Sequence, residues 1–241
     1  MLIGSTSNAG RISCDASLTE ILENERGEPL DVGRKTRTIP PAIRRSGLGT
    51  FPRKRLERRR SATKLLRIVT FSLYAAVVPS NLQILRSISG LIDKAEAFCR
   101  EKSLAPEDIL QARFAADMFP FDYQVKATVV HSLGAIEGVR RGVFSPDFTT
   151  PPNTFPALKA RIADTLQSLE AVDAAEIDGF IGRDVRFEAG ERRLQFTAEN
   201  FLLSFSQPNF YFHASTAYDL LRWKGVPIGK RDFVGRPRIK A

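Results

Sequence analysis

The chain has 241 residues, 43 % of them apolar, which is enough for one sizeable core carrying an appendage. Its two cysteines, Cys14 and Cys99, lie far apart and form no CxxC, which excludes a disulfide framework or a cysteine zinc site and fits a reducing, cytoplasmic setting. The formal charge of +9 would indicate nucleic acid or an anionic membrane if it were spread through the fold, but residues 1–66 hold 14 Lys/Arg against 7 Asp/Glu while residues 67–241 hold 22 against 20.

The basic character therefore belongs to residues 1–66, and it is densest from Arg34 to Lys64, where 12 basic residues face the single Glu57. That stretch has few large apolar residues, no helical period, and punctuation at Pro40, Pro41, Gly47, Gly49 and Pro52, so it reads as a disordered extension. The acids Glu20, Glu23, Glu25, Glu28 and Asp31 argue against a mitochondrial presequence. The apolar run IVTFSLYAAVVP has only 12 residues, too few to span a bilayer, so no membrane segment is expected.

Residues 67–241 read as an all-α domain. From Pro79 to about residue 101, Ile84, Ile88, Leu91, Ala95 and Phe98 mark one helical face. The stretch LAPEDILQARFAADMFP follows as a helical turn and an ordered loop. A second helix runs from Pro120 to about Arg140, with Phe121, Val125, Val129, Leu133 and Ile136 inward. A third opens at Thr154, a capping hydroxyl followed by Pro156 in the first turn, with the stripe Phe155, Leu158, Ile162, Leu166 and Leu169. The alternation Val185, Phe187, then Leu194, Phe196 around Ala189-Gly190 predicts a β-hairpin. A fourth helix, about Ala198 to Lys224, is apolar almost all round, which predicts a central position. Pro208 inside it removes a backbone donor from the carbonyl of Ser204 and predicts a kink. The segment GVPIGKRDF reads as a C-terminal strap, with Arg231 and Asp232 paired or solvated.

Three stretches, QARFAADMFPFDYQV, TFPALKARI and above all NFYFHASTAYDLLRWKGVPIGKRDF, resemble a mostly bacterial family of domains of unknown function within the DinB/YfiT-like superfamily. The resemblance covers about residues 69–235. It implies a four-helix bundle, here with a small β-hairpin before the last helix, that forms homodimers in many relatives. Better-known relatives bind a divalent metal through three histidines, one on the second helix and two on the fourth, four residues apart, and some are thiol transferases or hydrolases. This chain departs from that pattern: Ala217 stands four residues after His213, Asn209 four before it, and the protein has two histidines in all. No metal and no other cofactor is expected.

Two readings of His213 remain open in the sequence. It is a buried histidine bonded to a neighbouring side chain or to a carbonyl freed by Pro208, or it lines a small-ligand pocket with Asp117, Gln124, Asn209 and Tyr218. If the second and fourth helices run antiparallel with ends aligned, a rise of ~1.5 Å per residue brings Gln124 near the level of His213 and leaves His131 offset, as a surface or boundary residue. Phe205, Phe210, Phe212 and Trp223 read as core, and Phe121, Phe205 and Phe212 as walls around the His213 imidazole. Cys99 reads as a packed free thiol. No Ser/His/Asp order, HExxH, P-loop or dinucleotide fingerprint is present, so the sequence discloses no reaction. Besides an uncharacterised bundle with a ligand pocket, it leaves a nucleic-acid or anionic-surface binder acting through Arg34–Lys64, although only Phe51 is there to stack on bases. The abrupt onset of periodicity predicts that a chain starting at Val69 melts within a few degrees of the full-length protein; a larger drop in a thermal melt contradicts this.

Overall fold

A computed structural model describes residues 71–240; the extension 1–66, with Cys14 and the expected disorder, lies outside the described residues. Helix α1 (Leu73–Lys102) is followed by the one-turn α2 (Glu107–Leu110). Helix α3 is continuous through Phe121–Val129, a π-turn at Val130–Gly134 and Ala135–Arg141. Strand β1 (Val143–Phe144), α4 (Phe155–Glu170), the short α5 (Ala174–Asp178) and strands β2 (Asp184–Ala189) and β3 (Arg192–Thr197) follow. Helix α6 joins Ala198–Asn200, a π-turn at Phe201–Ser206 and Gln207–Trp223, and α7 (Lys230–Val234) closes the described chain. The fold is mostly helical. Of the long helices, α1 packs on α4 and α6, and α3 packs on the same two.

Helix α1 starts six residues before Pro79. The Ser72 hydroxyl accepts from the amide of Ala75 at 3.1 Å and supplies the cap, while Leu73, Val77 and Val78 bury the first turns. Pro79 is tolerated inside the helix because the carbonyl it cannot bond belongs to Ala75, an exposed residue that water can serve. Thr154 caps α4 as expected, its hydroxyl accepting from Ala157 at 3.3 Å. The expected hairpin also forms, pairing Val185 with Phe196 and Phe187 with Leu194, with Val185 and Phe187 buried. A third strand joins it: β1 lies parallel to β2, pairing Val143 with Arg186. Two residues carry no readable period, so β1 was invisible in the sequence.

The segment buried nearly all round is the first half of α3, not α6. Every residue of Phe121–Val129 except Tyr123 is buried, whereas α6 exposes Tyr211, Phe212 and Trp223. Phe212 and Trp223 are 57 % and 60 % exposed, so the core reading of these two rings is corrected. Phe210 is fully buried, and Phe205 is half-buried. Aromatic content alone does not report facing, and in α3 the polar residues that looked outward are satisfied internally.

Lys126 shows how. Its side chain is 1 % exposed, and Nζ donates to the carbonyls of Asp147 and Thr149 at 2.9 and 2.5 Å while pairing with the Asp147 carboxylate at 2.9 Å. Burial by itself would raise the Asp147 pKa, but the Thr149 hydroxyl, the Lys126 ammonium and the Thr149 amide together hold it down to about 2. The clamp fastens the loop after β1 onto α3. Lys126→Met strips donors from two carbonyls and should cost about 2 to 3 kcal/mol in urea unfolding. A loss below the measurement error would show the clamp to be ornamental.

Candidate histidine site

Ser206 in the π-turn of α6 meets His131 in the π-turn of α3 across the contact between the two helices, and His213 stands in the regular helix beyond the α6 turn. A π-turn widens the helix by one residue and loosens its carbonyls, which hydroxyl side chains here take up. Ser132 Oγ donates to the carbonyl of Thr128 at 2.7 Å, and the buried Ser206 donates across the interface to the carbonyl of His131 at 2.9 Å. In α6 the π-turn directly precedes Pro208, where the missing amide donor had predicted a kink. Asn209 spends its side-chain amide on the carbonyl of Phe205 at 2.7 Å.

His131 and His213 lie face to face, with ring centroids 5.7 Å apart and planes 15° from parallel. The expected offset in level is therefore wrong. It assumed straight helices with aligned ends, and a π-turn in each shifts the register of everything beyond it. Gln124 is where the rise argument put it, with Oε1 2.7 Å from Nδ1 of His213.

That contact decides the tautomer. The Gln124 amide nitrogen donates to the carbonyl of Phe119 at 2.9 Å, so its oxygen faces the imidazole and Nδ1 must carry the hydrogen. The Nε2 lone pair of His213 is left free. Because the Ser206 hydroxyl hydrogen goes to a carbonyl, the 3.4 Å approach of Ser206 Oγ to Nδ1 of His131 is served when that nitrogen also carries hydrogen. Neither Nε2 bonds another described residue, and neither is a buried atom left without a partner, so both reach solvent.

Aromatic rings frame the pair. Phe144 and Phe205 lie 5.7 and 6.0 Å from His131, while Tyr123 and Phe212 lie 6.5 and 5.3 Å from His213. Phe121 and Phe205, expected around His213, make no ring contact with it. The rings lie deep among neighbouring atoms yet keep an edge open. Desolvation pushes the His213 pKa down from 6.5 to about 4, and desolvation with the neighbouring His213 pushes His131 down to about 3. No carboxylate contributes to either shift.

Of the remaining residues expected in a pocket, Asp117 is exposed on the loop before α3 and makes no hydrogen bond to either imidazole. Tyr218 packs on Phe233 at 5.6 Å instead. His131 and Ser206 were the members missed, because both depend on the π-turns.

A match to the family described as a domain of unknown function, DUF1993, spans residues 73–234. The chain belongs to this family. The DUF1993 domain is also similar to a crystal structure of a DinB family member protein from Shewanella denitrificans, at 28 % identity and a TM-score of 0.59, over 70 % of this chain and 95 % of that one. No curated protein matches. The three-histidine metal site that DinB resemblance implies does not fit the residues present. Ala217 is buried at the third position, the Asn209 amide is engaged, and no group of three or more His, Cys, Asp or Glu side chains converges among the described residues.

The two depressed pKa values carry a stability signature. Between pH 6.5 and about 4 the unfolded chain holds protons on both histidines that the folded chain refuses, so stability should fall as pH drops through this window. The slope reaches ~1.4 kcal/mol per unit for each ring. Asp147, ordinarily 3.8 and here about 2, loses its contribution only at lower pH. Urea unfolding at pH 7.5, 6, 5 and 4.5 should give this slope, and His213→Asn should flatten it; an unchanged slope in the variant rejects the assignment.

Proposed function

We propose that this DUF1993 protein is a cytoplasmic, homodimeric DinB-type four-helix bundle that binds a small molecule at the His131–His213 pair without a three-histidine metal centre. The observation that carries the reading is the Gln124–His213 hydrogen bond of 2.7 Å, which spends Nδ1 and leaves Nε2 as an acceptor. Two neutral acceptors among aromatic rings suit a ligand with an apolar or aromatic body and an N–H or O–H donor.

Rings with pKa values of about 3 and 4 are weak bases at neutral pH, so binding is better supported than proton abstraction. A thiol-transferase or hydrolase reading would need a ligand whose negative charge raises one of them. Scarce cysteine supports the cytoplasmic location, and the exposed Phe114–Trp223 pair, 5.5 Å apart, supports a dimer. Among the described residues no helix is long and apolar enough to cross a membrane.

A second reading rests on the basic run Arg34–Lys64, whose density would give salt-dependent attraction to nucleic acid or to anionic surfaces. Titrating salt against DNA binding, with and without that run, separates it from the first. For the histidine pocket, a thermal-shift screen of aromatic amines, phenols and thiols should yield compounds that stabilise wild type and not His213→Ala. If none does, and His213→Ala merely costs about 1 to 3 kcal/mol, the imidazole is a structural residue.

A further inference from the structure

An open groove of about 870 Å3 runs between α1 and the segment around α7, and no residue of the histidine site takes part in it. Five of its lining residues are cationic, Arg86, Lys94, Arg231, Arg236 and Arg238, against one carboxylate, Asp232. Residues 67–241 together hold 22 Lys/Arg against 20 Asp/Glu, so the groove gathers positive charge that the rest of this region balances.

Three of the five cations are committed. Lys94 pairs with Asp232 at 2.6 Å and Arg86 with Glu170 at 2.6 Å. Arg238 donates to the carbonyl of Pro79 at 2.7 Å and to Gln83 Oε1 and Ser80 Oγ at 3.2 Å each. Arg231 and Arg236 are exposed, and their side chains make no ion pair or hydrogen bond among the described residues. Two uncommitted guanidinium groups thus stand in a groove whose other cations hold its walls.

Those walls are preformed. The side-chain amide of Gln83 donates to the carbonyl of Val234 at 2.8 Å, and Asp232 accepts from the amide of Gly229 at 2.7 Å. Gly235, at φ 65°, presses so closely on Ser87 that a β-carbon there would overlap the serine hydroxyl. Pro79, Leu82 and Pro237 add apolar surface to its lining.

We propose that this groove binds a small phosphorylated ligand with an apolar or aromatic body, of the nucleoside diphosphate class. The guanidinium forks of Arg231 and Arg236 match phosphate oxygens two at a time, and the apolar part of the lining receives the body. The groove's volume lies within the range of small-molecule sites.

The test is isothermal titration of the full-length chain and of R231Q/R236Q with ADP, inorganic pyrophosphate and phosphatidylserine vesicles. The basic run Arg34–Lys64 is present in both proteins and cannot explain a difference between them. One ADP should bind per chain, with at least tenfold loss in the double variant and weaker binding of pyrophosphate than of ADP. The melting temperature should be unchanged, because neither side chain has a folded-state partner to lose. Absent ADP binding, equal ADP affinity in the two proteins, pyrophosphate binding no weaker than ADP, or binding to vesicles alone would overturn the proposal.

Discussion

Burial of the polar first half of α3 is the constraint around which the other elements are arranged. Asp122, Gln124, Lys126 and Thr128 are all buried, and a buried polar group without a partner costs roughly 1 to 3 kcal/mol, so each needs a partner, and three of the four find it outside the helix. Each partner fixes something different. Gln111 reaches back to Asp122 at 2.6 Å and folds the loop ahead of α3 onto it. Lys126 draws in the loop after β1, Gln124 holds His213 of α6, and Thr128 turns inward to the carbonyl of Val125 at 2.7 Å. The apolar core supplies most of the stability, while these bonds decide which loops lie against it.

The same constraint explains why the imidazoles are neutral. A helix that has already satisfied its own polar groups has no spare carboxylate to give a histidine, and Asp122, whose pKa burial raises despite bonds from Tyr123 and Gln111, is engaged elsewhere. His131 and His213 therefore meet with no carboxylate to favour their charged forms: desolvation lowers both, and the neighbouring His213 lowers His131 further. The α3–α6 interface ends up with two acceptor nitrogens in an aromatic frame. Gly138 contributes to that frame: a β-carbon there would come within 2.9 Å of Phe144, so glycine is needed for the ring to reach the side of His131.

The basic groove follows a different logic. Its walls are held by hydrogen bonds and ion pairs at the surface, where each is worth little singly, and none of α7 is buried. It is a preformed cleft of guanidinium groups and apolar surface, and it shares no residue with the histidine pair.

What the sequence by itself determined is whatever depends on local period and local capping: the core faces of α1, α3 and α4, the Thr154 cap, the hairpin and the strap at the C-terminal end. Gln124 as partner of His213 was also legible, because helix rise is a local quantity that carries over a few turns. The tertiary structure alone decided the rest. The start of α1 depended on burial of Leu73 and Val77, which outweighed a proline in the second turn. The central place of α3 over α6 depended on partners for Gln124 and Lys126 that lie in distant segments. The meeting of His131 with His213 was decided by the packing of α3 on α6, where Gln124 and Ser206 bond across the interface, and the π-turn in each helix is a compromise between packing and hydrogen bonding that no single helix encodes.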